Sequence, residues 1–225
     1  MSDIKGKREL IITIDGPSGA GKSTIAKGIA RSMGYQYIDT GAMYRGIAYA
    51  FRAKNVSIED IEKFLEKLSI RFDFDDKAKV FLDGEEITEG IRDPDISMLA
   101  SKLSQNVKVR NYLTIRQREA GAKGGVVLEG RDTGSVVFPD AHIKFYLDAS
   151  HDERAKRRYK ELHSLGIGDE LTKVKEDMLK RDENDSKRAI APLVVPDGAV
   201  YVDTTGMEAK DVLDRLLNYI KEAGV

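Results

Sequence analysis

The stretch LIITIDGPSGAGKST, residues 10–24, passes from an apolar run through a glycine-rich turn into a segment with helical patterning. Residues Gly16 to Ser23 fit G-x-x-x-x-G-K-[ST], and the order strand, turn, helix is the context this pattern needs in order to bind phosphate. A helix that starts directly after such a turn points its first N–H groups and the positive end of its dipole at an anion. Gly16, Pro17, Ser18, Gly19, Ala20, Gly21, Lys22, Ser23 and Thr24 are therefore the expected triphosphate cradle. Lys22 supplies a mobile charge for the terminal phosphates, and the Ser23 hydroxyl is the expected magnesium ligand, partly through water.

Four more short apolar runs read as strands: YQYID (35–39), VVLEG (126–130), IKFYLD (143–148) and AVYVD (199–203). They lack strict alternation, as strands covered on both faces do, and helical patterns separate them, which predicts a parallel α/β sheet. The last helix, expected over 208–222, stacks Val212, Leu213, Leu216, Leu217 and Ile220 on one face and should pack on that sheet. Between the second and third core strands, a helical stretch (57–68) and two β-like runs, IRFDFD and AKVFLDG, form a small α+β segment. On its own that segment reads equally well as decoration or as a working part.

Composition narrows the function classes. Lys and Arg number 37 against 38 Asp and Glu, so a net charge of −1 gives no general reason to expect nucleic acid or a membrane surface as partner. With no cysteine there is neither a disulfide framework nor a thiolate metal site. The N-terminal MSDIKGKREL carries charges where a signal peptide needs an apolar run, and no run reaches the roughly 18 apolar residues of a membrane span, so a cytoplasmic chain is expected. A monomer is the expected state.

A triphosphate loop alone does not define an enzyme. Switch GTPases also carry a guanine-reading N-K-x-D, which is absent, and motor ATPases usually carry an acidic pair where VVLEG has Glu129 alone. This chain instead places arginines in phosphate-reading positions. In IDTGAMYRG (38–46), Thr40, Gly41 and Arg45 form either a second anion site or a helix cap at Thr40 with Arg45 on a solvated face. Arg131 and Asp132 follow the third strand, at the end of the sheet where ligand crevices form. Arg154, Arg157 and Arg158 share one face of a predicted helix, and Arg181, Asp185 and Arg188 share one face of the next, with HSLGIGDE (163–170) as a tip between them. Such a hairpin is either a solvated pair of helices or a lid whose arginines assemble on a transferring phosphoryl group.

GPSGAGKST, DTGAMYRG, LEGRDTGSVVFPDA, ERAKRR and RDENDSKRAIAPL, in this order, resemble bacterial-type cytidylate kinases over nearly the whole chain. The resemblance implies a five-stranded parallel P-loop kinase core (1–54, 94–150 and 190–225) with helices on both faces. It also implies a nucleoside-monophosphate-binding insertion (55–93, extending to about 105), and a lid with its arginine-bearing helix (151–189). It implies transfer of the γ-phosphate of MgATP to CMP or dCMP. By the same resemblance Ser101, Arg110 and Asp132 read cytosine, Thr40, Arg45 and Arg131 clamp the acceptor phosphate, and Arg181, Asp185 and Arg188 reach sugar and phosphates. Threonine at 40 stands where serine is common in the family, which keeps the hydroxyl. Lys22, Arg131, Arg154, Arg158 and Arg188 are the expected catalytic charges, with no side-chain nucleophile. Another small-molecule kinase of this fold, or a regulatory ATP-binding protein, remains as a rival reading.

One geometric consequence follows. Ser101 and Arg110 are nine residues apart and would face opposite sides of an unbroken helix at about 100° per residue. If both touch one base, the helix must break between them, and SQNVKVR is the expected break.

Overall fold

A computed structural model of the chain describes residues 9–74, 78–164, 166, 168 and 170–224. Most of the leader sequence MSDIKGKREL, and part of the lid tip at 163–170, lie outside the described residues. The core is a five-stranded parallel sheet built from β1 (Ile11–Asp15), β2 (Gln36–Asp39), β6 (Val126–Gly130), β7 (Ile143–Asp148) and β8 (Val200–Asp203), in the order β2-β6-β1-β7-β8. Each strand matches a run expected from the sequence to within a residue. Their lack of alternation has the predicted cause. In β6, Val127 faces one hydrophobic cluster while Val126 and Leu128 face the other, so both sides of the strand are covered.

On one face of the sheet lie α1 (Lys22–Met33) and α8 (Ala209–Glu222), which contribute Ile25, Ala26 and Ile29, and Val212, Leu216 and Ile220. On the other lie α2 (Thr40–Ala53), α4 (Pro94–Leu103) and α5 (Val107–Gly121). The intervening segment folds as α3 (Ile61–Lys67) followed by a small antiparallel sheet of β3 (Ile70–Asp73), β4 (Lys79–Leu82) and β5 (Glu85–Glu86). It seats on α2 at Gly46, where a Cβ would lie 3.0 to 3.2 Å from Val80, Ile70 and Phe72. Helices α6 (His151–Ser164) and α7 (Leu171–Lys187) form a hairpin with its own small cluster of Ala155, Leu162, Val174 and Met178.

The register lines up the carboxyl ends of the strands and places an acidic residue at or next to each: Asp15, Asp39, Glu129, Asp148 and Asp203. Several tie down the loop that follows. Asp39 accepts from Ala42 N at 2.8 Å and so caps α2, while Asp203 accepts from Thr205 N at 2.8 Å. The cap of α2 is thus Asp39, not Thr40, which is already the first helical residue. Likewise α7 ends one residue before Arg188, which turns out of the helix with φ −63° and ψ 139°. Among the described residues, no helix is long and apolar enough to cross a membrane.

Candidate active site

At the end of β1 the chain turns directly over β7. Gly16 has φ 145°, and a Cβ there would sit 1.9 Å from the Leu147 carbonyl oxygen, so only glycine fits. The loop then enters α1 through Gly21, which is left-handed at φ 89° and caps the helix without a side chain. Lys22, 6% exposed, donates from Nζ to Pro17 O at 2.6 Å. Burial, and then the nearby Arg131 guanidinium, lower its ammonium to about 7, so the charged form is disfavoured here and an anion placed beside it would restore it. The Ser23 hydroxyl lies in hydrogen-bonding reach of Glu129 and Tyr37. Glu129 is buried, and that burial raises its carboxyl above the ordinary value; it accepts from the Tyr37 hydroxyl. A hydroxyl and a carboxylate side by side are hard oxygen donors of the kind magnesium takes, so these residues fit the implied metal. Among the described residues no group of three or more His, Cys, Asp or Glu is arranged to hold a metal by itself.

A second constellation sits beside the loop, after β6. Asp132 is 6% exposed and accepts from Arg110 through Oδ2 and from Arg188 Nη2 through Oδ1 at 3.2 Å. Arg188 Nη1 lies 3.5 Å from Ser104 Oγ and 4.0 Å from Asp185 Oδ1, and Asp185 Oδ2 accepts from Arg131 Nε at 2.8 Å. Ser104 joins the base-reading candidates: its hydroxyl donates to Ser101 O at 2.7 Å and its carbonyl accepts from Arg110 Nη1 at 3.2 Å. The Ser101 hydroxyl is buried without a protein partner. Ser101, Arg110, Arg131, Asp132, Asp185 and Arg188, expected together from the sequence, therefore form one connected network.

The phosphate-reading candidates converge next to it. Arg181 has a buried Nε with no protein partner. Burial, and then the like charge of Arg131, lower its guanidinium to about 10; Asp185 opposes this, and Arg158 and Arg45 add to it. The charges of Arg131 after β6, Arg158 on α6 and Arg45 on α2 are all felt at Arg181 on α7, which makes the space around it cationic. Like charges gathered this way are unfavourable without an anion between them. Thr40 donates its hydroxyl proton to Glu129 O at 2.7 Å, so its oxygen lies at the wall of that space, and Arg45 is held by Asp39 at 3.2 Å.

The lid arginines divide. Arg154 is buried against the P-loop, donating from Nε to Ala149 O and from Nη1 to Ser18 O, each at 3.0 Å, and also to Asp182. Arg157 is held by Thr204, with Nη1 to its Oγ1 at 2.9 Å and Nη2 to its O at 2.7 Å, and its Nη1 lies 3.8 Å from where a Cβ on Gly21 would sit, so it too borders the phosphate loop. Arg158 pairs with Glu161 at 2.8 Å.

Sequence reasoning did not single out Asp15, Tyr44 or Asp182. Asp15 is fully buried and accepts from Thr133 N and Oγ1, each at 2.8 Å, and from Gly134 N at 2.7 Å, fixing the loop that carries Arg131 and Asp132. Tyr44 brings its ring 5.8 Å from the Arg110 guanidinium, and burial lifts its hydroxyl to about 12. The signal for Asp15 is its place at the last position of a strand directly before the phosphate loop. For Asp182 it is a carboxylate set beside Arg181 in an arginine-bearing helix.

A family model described as cytidylate kinase matches residues 12–222. The cytidylate kinase of Caldanaerobacter subterraneus subsp. tengcongensis is 46% identical over 212 residues, covering 94% of each chain. That of Syntrophotalea carbinolica is 46% identical over 220 residues, covering 96% of this chain and 93% of its own. A crystal structure of an uncharacterized protein from Eubacterium ventriosum shares the fold, with a TM-score of 0.53 at 12% identity over 95% of this chain and 99% of the other.

Proposed function

The chain belongs to the cytidylate kinase family, and from that premise we propose that the two neighbouring constellations are the donor and acceptor halves of one phosphoryl-transfer site. The enzyme moves the γ-phosphate of ATP to CMP or dCMP, giving ADP and CDP or dCDP. Residues 16–24 take ATP. Thr40, Arg45 and Arg131 take the acceptor phosphate, Ser101, Arg110 and Asp132 take cytosine, and Arg181, Asp185 and Arg188 reach the sugar and phosphates. The observation that carries this reading is that Arg181 feels the charges of Arg131, Arg158 and Arg45, and that Arg131 also acts on Lys22 of the phosphate loop.

The reaction needs no covalent enzyme intermediate. An oxygen of the CMP phosphate attacks the γ-phosphorus in line, the new P–O bond forms as the bond to the β–γ bridging oxygen breaks, and ADP leaves with that electron pair. A monophosphate is already largely ionised near neutral pH, so no strong base is required. The protein contributes position and charge: Lys22 on the terminal phosphates, Arg131 and Arg188 between donor and acceptor, Arg154 and Arg158 from the lid. Magnesium would be held by Ser23, with Glu129 beside it, and would supply charge neutralisation when bound.

Cytosine presents a 4-amino donor beside the N3 and O2 acceptors, so a carboxylate and a guanidinium together distinguish it from uracil, whose O4 would face Asp132 with an acceptor. The segment 55–93, extending to about 105, serves as the monophosphate-binding insertion and 151–189 as the lid, both closing over substrates to exclude water. The same reading takes the chain to act as a monomer in the cytoplasm. A coupled ADP-release assay over CMP, dCMP, UMP and other monophosphates tests the proposal. Turnover with CMP and dCMP well above UMP is expected; ADP release that needs no added monophosphate would overturn it.

A further inference from the structure

The lid reaches the phosphate loop through a carboxylate. On α7, Asp182 Oδ1 accepts from the Ser18 backbone N–H at 3.2 Å, and Oδ2 accepts from Arg154. Arg154 also donates to Ser18 O at 3.0 Å, so Asp182 and Arg154 close a ring around the backbone of one loop residue. The approach is tight. A Cβ on Gly19 would lie 2.6 Å from Arg154 O and 3.0 Å from Met178 Cε, which leaves no gap between the lid helices and the loop apex. The Asp182 side chain is 16% exposed, and its charge is felt by both Lys22 and Arg131.

Loop N–H groups of this kind are donors for phosphate oxygens, and here one donor is already given to an anion that the chain supplies itself. Ser18 N–H, Lys22, Arg131 and Arg154 are the groups that a terminal phosphate would use. Two anions competing for the same donors repel one another, all the more in a partly screened site. We propose that Asp182 is an internal competitor of the triphosphate: its carboxylate occupies the Ser18 N–H and Arg154, and ATP binds by displacing it. Displacement releases the Arg154 Nη1 donor from Asp182, so arrival of the γ-phosphate and freeing of a lid arginine are one event. Asp182 in this way sets ATP affinity and couples ATP to lid movement.

The proposal rests on the reading of residues 16–24 as the ATP loop, and the test separates the two. Isothermal titration of the full chain with magnesium and β,γ-imido-ATP compares wild type with Asp182→Asn. The variant is expected to bind at least about fivefold more tightly. ADP, which lacks the γ-phosphate, should gain less, and CMP affinity should stay within about twofold. Equal or weaker imido-ATP binding by the variant overturns the proposal, because a residue that merely positioned Arg154 would weaken binding when neutralised. An equal gain for ADP overturns it too. Absence of imido-ATP binding by the wild type would instead overturn the ATP reading itself. If thermal unfolding shows that Asp182→Asn is not folded, Asp182→Ser gives the same comparison with a smaller neutral side chain.

Discussion

Asp132 spends both oxygens on buried guanidinium groups, one on Arg110 and one on Arg188. If it also accepts the 4-amino group of cytosine, Asp132→Ala should reduce kcat/KM for CMP by about 10- to 100-fold more than for UMP, the scale of one lost polar contact in a buried site. Truncation also leaves two buried cations less well paired, so the CMP to UMP ratio is the informative measurement, and equal losses would count against the contact. Asp15 gives a different signature. Burial raises its carboxyl from 3.8 to about 6, so as pH falls from about 6 to 4 the folded chain takes up a proton that the unfolded chain does not. Its contribution to stability therefore improves on acidification, by up to about 3 kcal/mol. A protonated carboxyl is a weaker acceptor for Thr133 N, Thr133 Oγ1 and Gly134 N than the carboxylate, so the loop carrying Arg131 and Asp132 should loosen and turnover should fall over the same window. Rate and stability thus move in opposite directions, and the step near pH 6 in a kcat/KM profile for CMP should vanish in Asp15→Asn.

Between α4 and α5 the chain breaks at 104–106, as the nine-residue spacing of Ser101 and Arg110 required. Asn106 makes the break by accepting from Lys108 N at 2.9 Å and Val109 N at 3.3 Å, which starts α5 in a new direction. Asn106→Ala should cost about 1 kcal/mol in denaturant unfolding and raise KM for CMP more than KM for ATP, because Arg110 lies in the first turn it caps. At the far end of α7, Arg188 is held by Ser104, Asp132 and the carbonyl of Ala191, a non-glycine residue at φ 51°. Arg188→Met should lower turnover by about 100-fold or more while cooperative unfolding persists; loss of cooperative unfolding would assign the residue to the fold alone. Much of this was legible in the sequence, since helix breaks, strand ends and glycine turns are local chemistry. Asp182 was not, because its partner Ser18 lies 164 residues away and only packing of the lid on the loop brings them together. The partner of Arg157 was hidden for a related reason, since Thr204, which holds its guanidinium, lies beyond β8.

Across the whole molecule, cationic side chains are concentrated at the carboxyl end of the sheet although the net charge is only −1. Such focusing draws anionic nucleotides toward the cleft without making the surface generally basic. The strand order β2-β6-β1-β7-β8 explains the place of that cleft, because the chain passes to opposite sides of β1 and leaves a crevice above its end. The two large hydrophobic clusters grip the two faces of that sheet, whereas the hairpin of α6 and α7 has its own small cluster of Ala155, Leu162, Val174 and Met178, of which Met178 also reaches Gly19. An element with so few buried apolar side chains opens at a lower free energy than the sheet it sits on. Backbone amides of 171–187 should therefore exchange with deuterium well before those of β1 and β6, and imido-ATP with CMP should slow them selectively. With a separate third cluster and polar ties to the loop and to Arg131, the hairpin is expected to detach by exchanging hydrogen bonds rather than by breaking open the main core.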